Sequence, residues 1–112
     1  MEKPSAGQVV IVPFPQTDLA LGKLRPALVL VSLRGDDLVL CQITSQARSD
    51  GYSISLNAFD FATGSLNLPS FIRPNRLFTV NKSVVLRSVG TLKPQKLANV
   101  LKATAAMFTV PG

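Results

Sequence analysis

The chain has 112 residues, 46% of them hydrophobic and 16% charged, and twelve Lys and Arg outnumber six acids to give a formal charge of +6. That length suits one domain, residues 1–112, with a core that needs neither metal nor disulfide, and the apolar content excludes a disordered chain. With no histidine and Glu2 as the only glutamate, Ser-His-Asp and Cys-His nucleophiles, histidine acid/base pairs and ordinary zinc sites are excluded.

Gln8 to Phe14 is a continuous apolar run between Gly7 and the prolines at 13 and 15, which predicts a buried strand broken by proline. Residues 16–24 carry Thr17, Asp18, Gly22 and Lys23 and predict a loop. Ala27 to Leu33 predicts a second strand, joined through the tight turn Arg34-Gly35-Asp36-Asp37 to a third over Leu38 to Thr44. After a polar loop, Tyr52 to Leu56 alternates with period two and predicts a half-exposed strand.

Residues 57–68 show no clear element; Phe59, Phe61, Leu66 and Leu68 suit covering one end of a barrel or meeting a second subunit. Ser70 to Val80 and Ser83 to Val89 predict two more strands. Pro74 confines the first to an edge or a bulge, and Gly90 is expected to end the sheet. From Pro94 to Phe108 the period becomes helical, with Leu97, Val100, Leu101, Thr104, Ala105 and Phe108 on one face, Pro94 in the first turn and Thr91 as a candidate cap. Strands followed by one terminal helix imply a mainly β fold, a small barrel with the helix packed against it.

The positive balance favours a polyanionic partner. Arg25 stands where a polar loop turns into an apolar strand, and Thr44, Ser45 and Gln46 stand at the mouth of the next strand. Neighbouring strands can bring that guanidinium and hydroxyl to one spot suited to phosphate. Taken singly, Arg25 also reads as a strand-end ion pair, for instance with Asp18, and Thr44 as an ordinary strand residue. Cys41, inside an apolar run, reads as a small buried hydrophobe. Asp36 and Asp37 read as turn formers, Arg48 as a solvated loop charge, and Lys93, Lys96 and Lys102 as the wet face of the helix. Neither a signal-peptide core nor an apolar run of about 20 residues is present, so a cytoplasmic protein without membrane contact is expected.

The run Gly7 to Pro15, Arg25-Pro26-Ala27-Leu28-Val29-Leu30, Ile43-Thr44-Ser45-Gln46, Leu68-Pro69-Ser70-Phe71-Ile72 and Val89-Gly90-Thr91-Leu92, in that order and spacing, resembles the MazF/PemK family of toxin endoribonucleases over nearly the whole chain. The resemblance implies an SH3-like barrel with a C-terminal helix of the MazF/PemK/CcdB type and a homodimer. It implies sequence-selective cleavage of single-stranded mRNA without metal or other cofactor, and a cognate antitoxin that blocks the RNA groove. The family's catalytic arginine and threonine fall on Arg25 and Thr44, and a region where its members contact RNA falls on Arg73, Asn75 and Arg76; Ser45 and Gln46, which follow Thr44, and Thr17 and Lys23, in the loop before Arg25, are expected to line the same groove. The chain departs from the family at Asn75 and Phe78, where an acidic residue and an arginine are often found, and at Gln42, where many relatives have proline. The alternative these departures leave open is a non-enzymatic toxin or an RNA- or protein-binding module on the same barrel, such as a gyrase poison.

Overall fold

The computed structural model describes residues 2–14, 23–47 and 49–109. Seven strands form one sheet: β1 (Gln8–Phe14), β2 (Lys23–Ser32), β3 (Asp37–Thr44), β4 (Ile54–Leu56), β5 (Phe61–Gly64), β6 (Ser70–Asn81) and β7 (Arg87–Leu92), in the order β4-β6-β3-β2-β1-β7-β5. Every neighbouring pair is antiparallel. The helix α1 (Pro94–Ala106) follows.

The connection between β4 and β5 forces the curl. These two strands occupy opposite edges of the sheet, yet only residues 57–60 separate them. In a flat sheet the edges would lie about 29 Å apart at ~4.8 Å per strand. The five steps from Leu56 to Phe61 span at most about 17 Å. The sheet therefore rolls into a half-barrel, and Leu56 and Phe61 meet in one apolar cluster.

Rolling buries the central strands on both faces. Val9, Leu28, Leu30, Cys41, Ile43 and Ile72 pack toward Val100 of α1, whereas Val10, Val12, Ala27, Val29, Leu38 and Leu40 pack with Val85 on the other side. This explains why β1 and β2 read as unbroken apolar runs and not as alternating ones. Cys41 is a fully buried free thiol in the first cluster, and burial pushes its pKa up to about 12.

Several elements differ from the expectations. β2 begins at Lys23 and not at Ala27, because Pro26 pairs with Ile11 of β1 at a level below the first β2–β3 partnership, Ala27 with Gln42. A residue lacking N–H fits there. β5 lies within the stretch that gave no clear pattern; it has four residues, three of them exposed. Pro74 sits in a bulge, as expected, between the rungs Cys41–Leu77 and Gln42–Arg73.

The seventh strand is shifted toward the C-terminus. Residues 82–84 form a 3-10 turn capped by the Asn81 side chain, and Gly90 lies inside β7 without ending it. A Cβ on Gly90 would come within 2.5 Å of the Thr63 carbonyl oxygen and 2.8 Å of the Phe61 ring, so glycine here permits the close approach of β5. Thr91 belongs to β7; Lys93 is the helix N-cap, with Pro94 behind it. Of the expected helix face only Val100 is fully buried, and Phe108 is 69% exposed. Lys96 is not a wet-face lysine: it pairs with Asp60 at 3.5 Å, tying α1 to the turn before β5.

Gly90→Ala is expected to lower stability in urea by about 1–3 kcal/mol, because the methyl group must push β5 away. An unchanged midpoint would contradict the β5–β7 approach described here.

Candidate functional site

β2 and β3 position the two candidate residues through their register. The last pairs of β2 with β3 at this end are Leu28 with Cys41 and Ala27 with Gln42, and Arg25 and Thr44 each lie two residues beyond the last of them. On its other side Arg25 pairs with Val12, and Thr44 pairs with Phe71 of β6. A cleft of about 210 Å³ opens at this point. It is lined by Leu24, Arg25 and Pro26 of β2, by Ile43, Thr44 and Ser45 at the end of β3, and by Leu66, Leu68 and Ser70.

Thr44 and Ser70 are the two buried polar residues among the described ones, 7% and 5% exposed, and both lie in this cleft. Their hydroxyls are committed in opposite senses. Thr44 Oγ1 accepts the Gln46 backbone N–H at 3.2 Å, which leaves its hydrogen to donate. Ser70 Oγ donates to the Leu68 carbonyl at 3.0 Å, which leaves its lone pairs to accept. Arg25 Nε is buried without a hydrogen-bond partner, and Arg25 forms no ion pair with another described residue. Asp18, the partner considered from sequence, lies outside the described residues, as do Thr17 and Arg48.

The other candidates divide. Ser45 lines the cleft, Gln46 contributes its backbone N–H to Thr44, and Lys23 is exposed at the start of β2. Arg73 and Asn75 do not line it. They form a second polar cluster two rungs along the sheet from Thr44, where Arg73 faces Gln42. Asp50 holds this cluster: its carboxylate accepts Arg73 Nη2 at 2.9 Å, Asn75 Nδ2 at 3.3 Å and the Tyr52 N–H at 3.0 Å. Those donors, the Tyr52 N–H first, lower the Asp50 pKa from 3.8 to about 2. Gln42 Oε1, Ser53 Oγ, Arg73 Nε and Asn75 Oδ1 are buried here without partners. Arg76 is exposed in the bulge. Phe78 is half-buried, packs against the second apolar cluster and meets Phe14 edge to face at 4.9 Å, a structural role for one of the family departures.

Sequence reasoning missed Asp50, Ser70 and the leucines of the cleft. The Asp50-Gly51 pair signals a turn, and Gly51 has φ +79°, but nothing local indicates the partner 23 residues away. Ser70 lay inside a family-like run without a role assigned to it.

A half-barrel whose strand ends present a cation and a hydroxyl in one cleft defines the class of protein. The sequence profile of the PemK-like, MazF-like toxins of type II toxin-antitoxin systems matches residues 5–108, and the chain belongs to this family. Among solved structures, the MazE-MazF complex of Deinococcus radiodurans is similar with a TM-score of 0.74 and 20% identity over 95% of this chain and 96% of that one. A mycobacterial endoribonuclease in complex with its cognate antitoxin has TM-score 0.70 and 19% identity, covering 97% and 98%. Mycobacterium tuberculosis toxin MazF-mt6 has TM-score 0.69 and 20% identity, covering 94% and 99%. Comparison with curated protein sequences returns no significant match. Among the described residues no helix is long and apolar enough to cross a membrane.

Because the folded-state pKa of Asp50 is depressed, its contribution to stability is complete above pH ~3.8 and is lost as pH falls through about 2. Asp50→Asn is therefore expected to flatten the acid limb of the stability curve between those values relative to the parent, read by circular dichroism in urea. Superimposable acid limbs would contradict the clamp.

Proposed function

We propose that this toxin is a sequence-selective endoribonuclease that cleaves single-stranded mRNA without a metal ion, with Arg25 and Thr44 as its catalytic residues. The carrying observation is that these two residues, from neighbouring strands, line one cleft with the threonine hydrogen free to donate. Family membership and the likeness to structures described as endoribonucleases support the same reading.

The chemistry follows from the donors present. When the 2′-hydroxyl attacks the adjacent phosphorus, negative charge builds on the non-bridging oxygens of a pentacoordinate transition state. The Arg25 guanidinium can give those oxygens two charge-assisted hydrogen bonds, and Thr44 a third. The products are a 2′,3′-cyclic phosphate and a free 5′-hydroxyl. Arginine stays protonated because its pKa lies above ~12, so Arg25 acts by stabilising charge and is not assigned the general-base step. With no histidine in the chain, the rate should show no maximum governed by a group of pKa ~6.5.

Ser45, which lines the cleft, Gln46 and Lys23 near it in sequence, and Arg73, Asn75 and Arg76 of β6 are the RNA-binding residues of this reading, with Thr17 outside the described residues. A cognate antitoxin is the expected protein partner, since related toxins are seen in complex with theirs, and a homodimer in the cytoplasm is the expected state.

In buffered EDTA the purified protein should cut single-stranded RNA. Arg25→Ala should lower the rate by about 10³-fold and Thr44→Ala by about 10²-fold with the fold retained. A requirement for magnesium, or full activity of Arg25→Ala, would contradict the assignment.

A further inference from the structure

Arg73 is held more firmly than the stability of the sheet requires. Its side chain is 13% exposed and that of Asp50 27%, so the pair sits at the edge of solvent with the carboxylate outermost. Around it Gln42 Oε1, Ser53 Oγ, Asn75 Oδ1 and Arg73 Nε are buried without partners, which makes the cluster an expensive way to stabilise a fold. What it does achieve is to fix one guanidinium.

The hydrogen bonds show which residue is the anchor. Gly51, with φ +79°, turns the chain so that Asp50 Oδ1 accepts the Tyr52 N–H of its own turn at 3.0 Å. That local bond sets the carboxylate and leaves Oδ2 to accept Arg73 Nη2 at 2.9 Å and Asn75 Nδ2 at 3.3 Å. Arg73 is therefore the group being held. A guanidinium has a second edge, and Nη1 bonds to no described residue.

Register places that arginine relative to the cleft. Gln42 pairs with Arg73 and Thr44 with Phe71, with no irregularity between these rungs, and residues two apart on a strand share a face of the sheet. Arg73 thus stands on the face of Thr44, about 7 Å along the strand direction and one strand further on. An RNA strand with one phosphate at Arg25 and Thr44 can set the next within reach of a guanidinium so placed, and phosphate is the ligand its geometry suits.

We propose that Asp50 is a positioning residue for RNA binding, which acts only through Arg73 and turns its free edge toward the phosphate next to the one at the cut. This deepens the RNA-cleavage reading and rests on it.

The test uses the intact protein and a single-stranded RNA oligonucleotide with one mapped cut. A 2′-deoxynucleotide at the cut prevents cleavage, so that fluorescence anisotropy reads binding alone. Asp50→Ala and Arg73→Ala should each weaken binding about tenfold and flatten the slope of log Kd against log salt by about 0.7, the share of one single-strand phosphate. The double variant should bind no more weakly than Arg73→Ala, because Asp50 has nothing left to position. A neutral methylphosphonate at the linkage on one side of the cut should cost the parent about tenfold and either single variant less than about twofold. Asp50→Asn, which keeps the side chain's shape, replaces Asp50→Ala if circular dichroism shows the latter unfolded. Further loss on adding Asp50→Ala to Arg73→Ala overturns the proposal, and so does an equal methylphosphonate penalty in parent and variants. Tighter binding by Asp50→Ala overturns it too, and makes the contact a restraint on Arg73. If the parent cuts no RNA, the nuclease reading fails and the proposal falls with it; a parent that cuts, beside variants whose binding is unchanged, removes the positioning role alone.

Discussion

Antiparallel pairing of β2 with β3 is the constraint on which the cleft depends. Side chains alternate along a strand, so a slip of one residue would send the Arg25 guanidinium and the Thr44 hydroxyl to opposite faces of the sheet. The register is held by burial on both sides: Leu28 and Cys41 belong to one apolar cluster, Ala27 and Leu40 to the other. The hydrophobic core thus fixes a polar geometry beyond its own edge, at the level where β2 has passed its last partner on β3.

The curl imposed by the short β4–β5 connection completes the arrangement. It brings the segment holding Leu66 and Leu68 to the same end of the sheet as Arg25. Close packing of β5 on β7 requires glycine at position 90. Asp50 performs a related task two rungs away, where its carboxylate collects two side-chain donors and one backbone donor and holds Arg73 in place. The chain therefore presents two arginines differently: Arg25 without an ion pair among the described residues, and Arg73 already paired.

Much of this was legible in the sequence where local pattern and tertiary outcome agree. The apolar run Gln8 to Phe14, the turn at Arg34 to Asp37, the bulge demanded by Pro74 and the helix opened by Pro94 all follow from backbone chemistry confined to a few residues. The elements that escaped are those whose stability comes from distant neighbours. β5 is short and largely exposed, and exists because β7 pairs with it. Gly90 looks like a terminator from its neighbours alone, whereas its reason is a facing carbonyl. The same division holds near the cleft: the places of Arg25 and Thr44 at strand mouths could be read from the sequence, with their roles implied only by the family resemblance, but the Asp50–Arg73 pair and the Ser70 hydroxyl depend on contacts that only the folded chain supplies.

The central claim is that Arg25 and Thr44 act together on one phosphate. A double-mutant cycle on kcat/KM for RNA cleavage, combining Arg25→Ala with Thr44→Ala, tests it most directly. Convergence predicts that the combined loss falls well short of the product of the single losses, since either truncation already removes part of a shared donor set. Losses that multiply independently, or a Thr44→Ala variant indistinguishable from the parent, would contradict it.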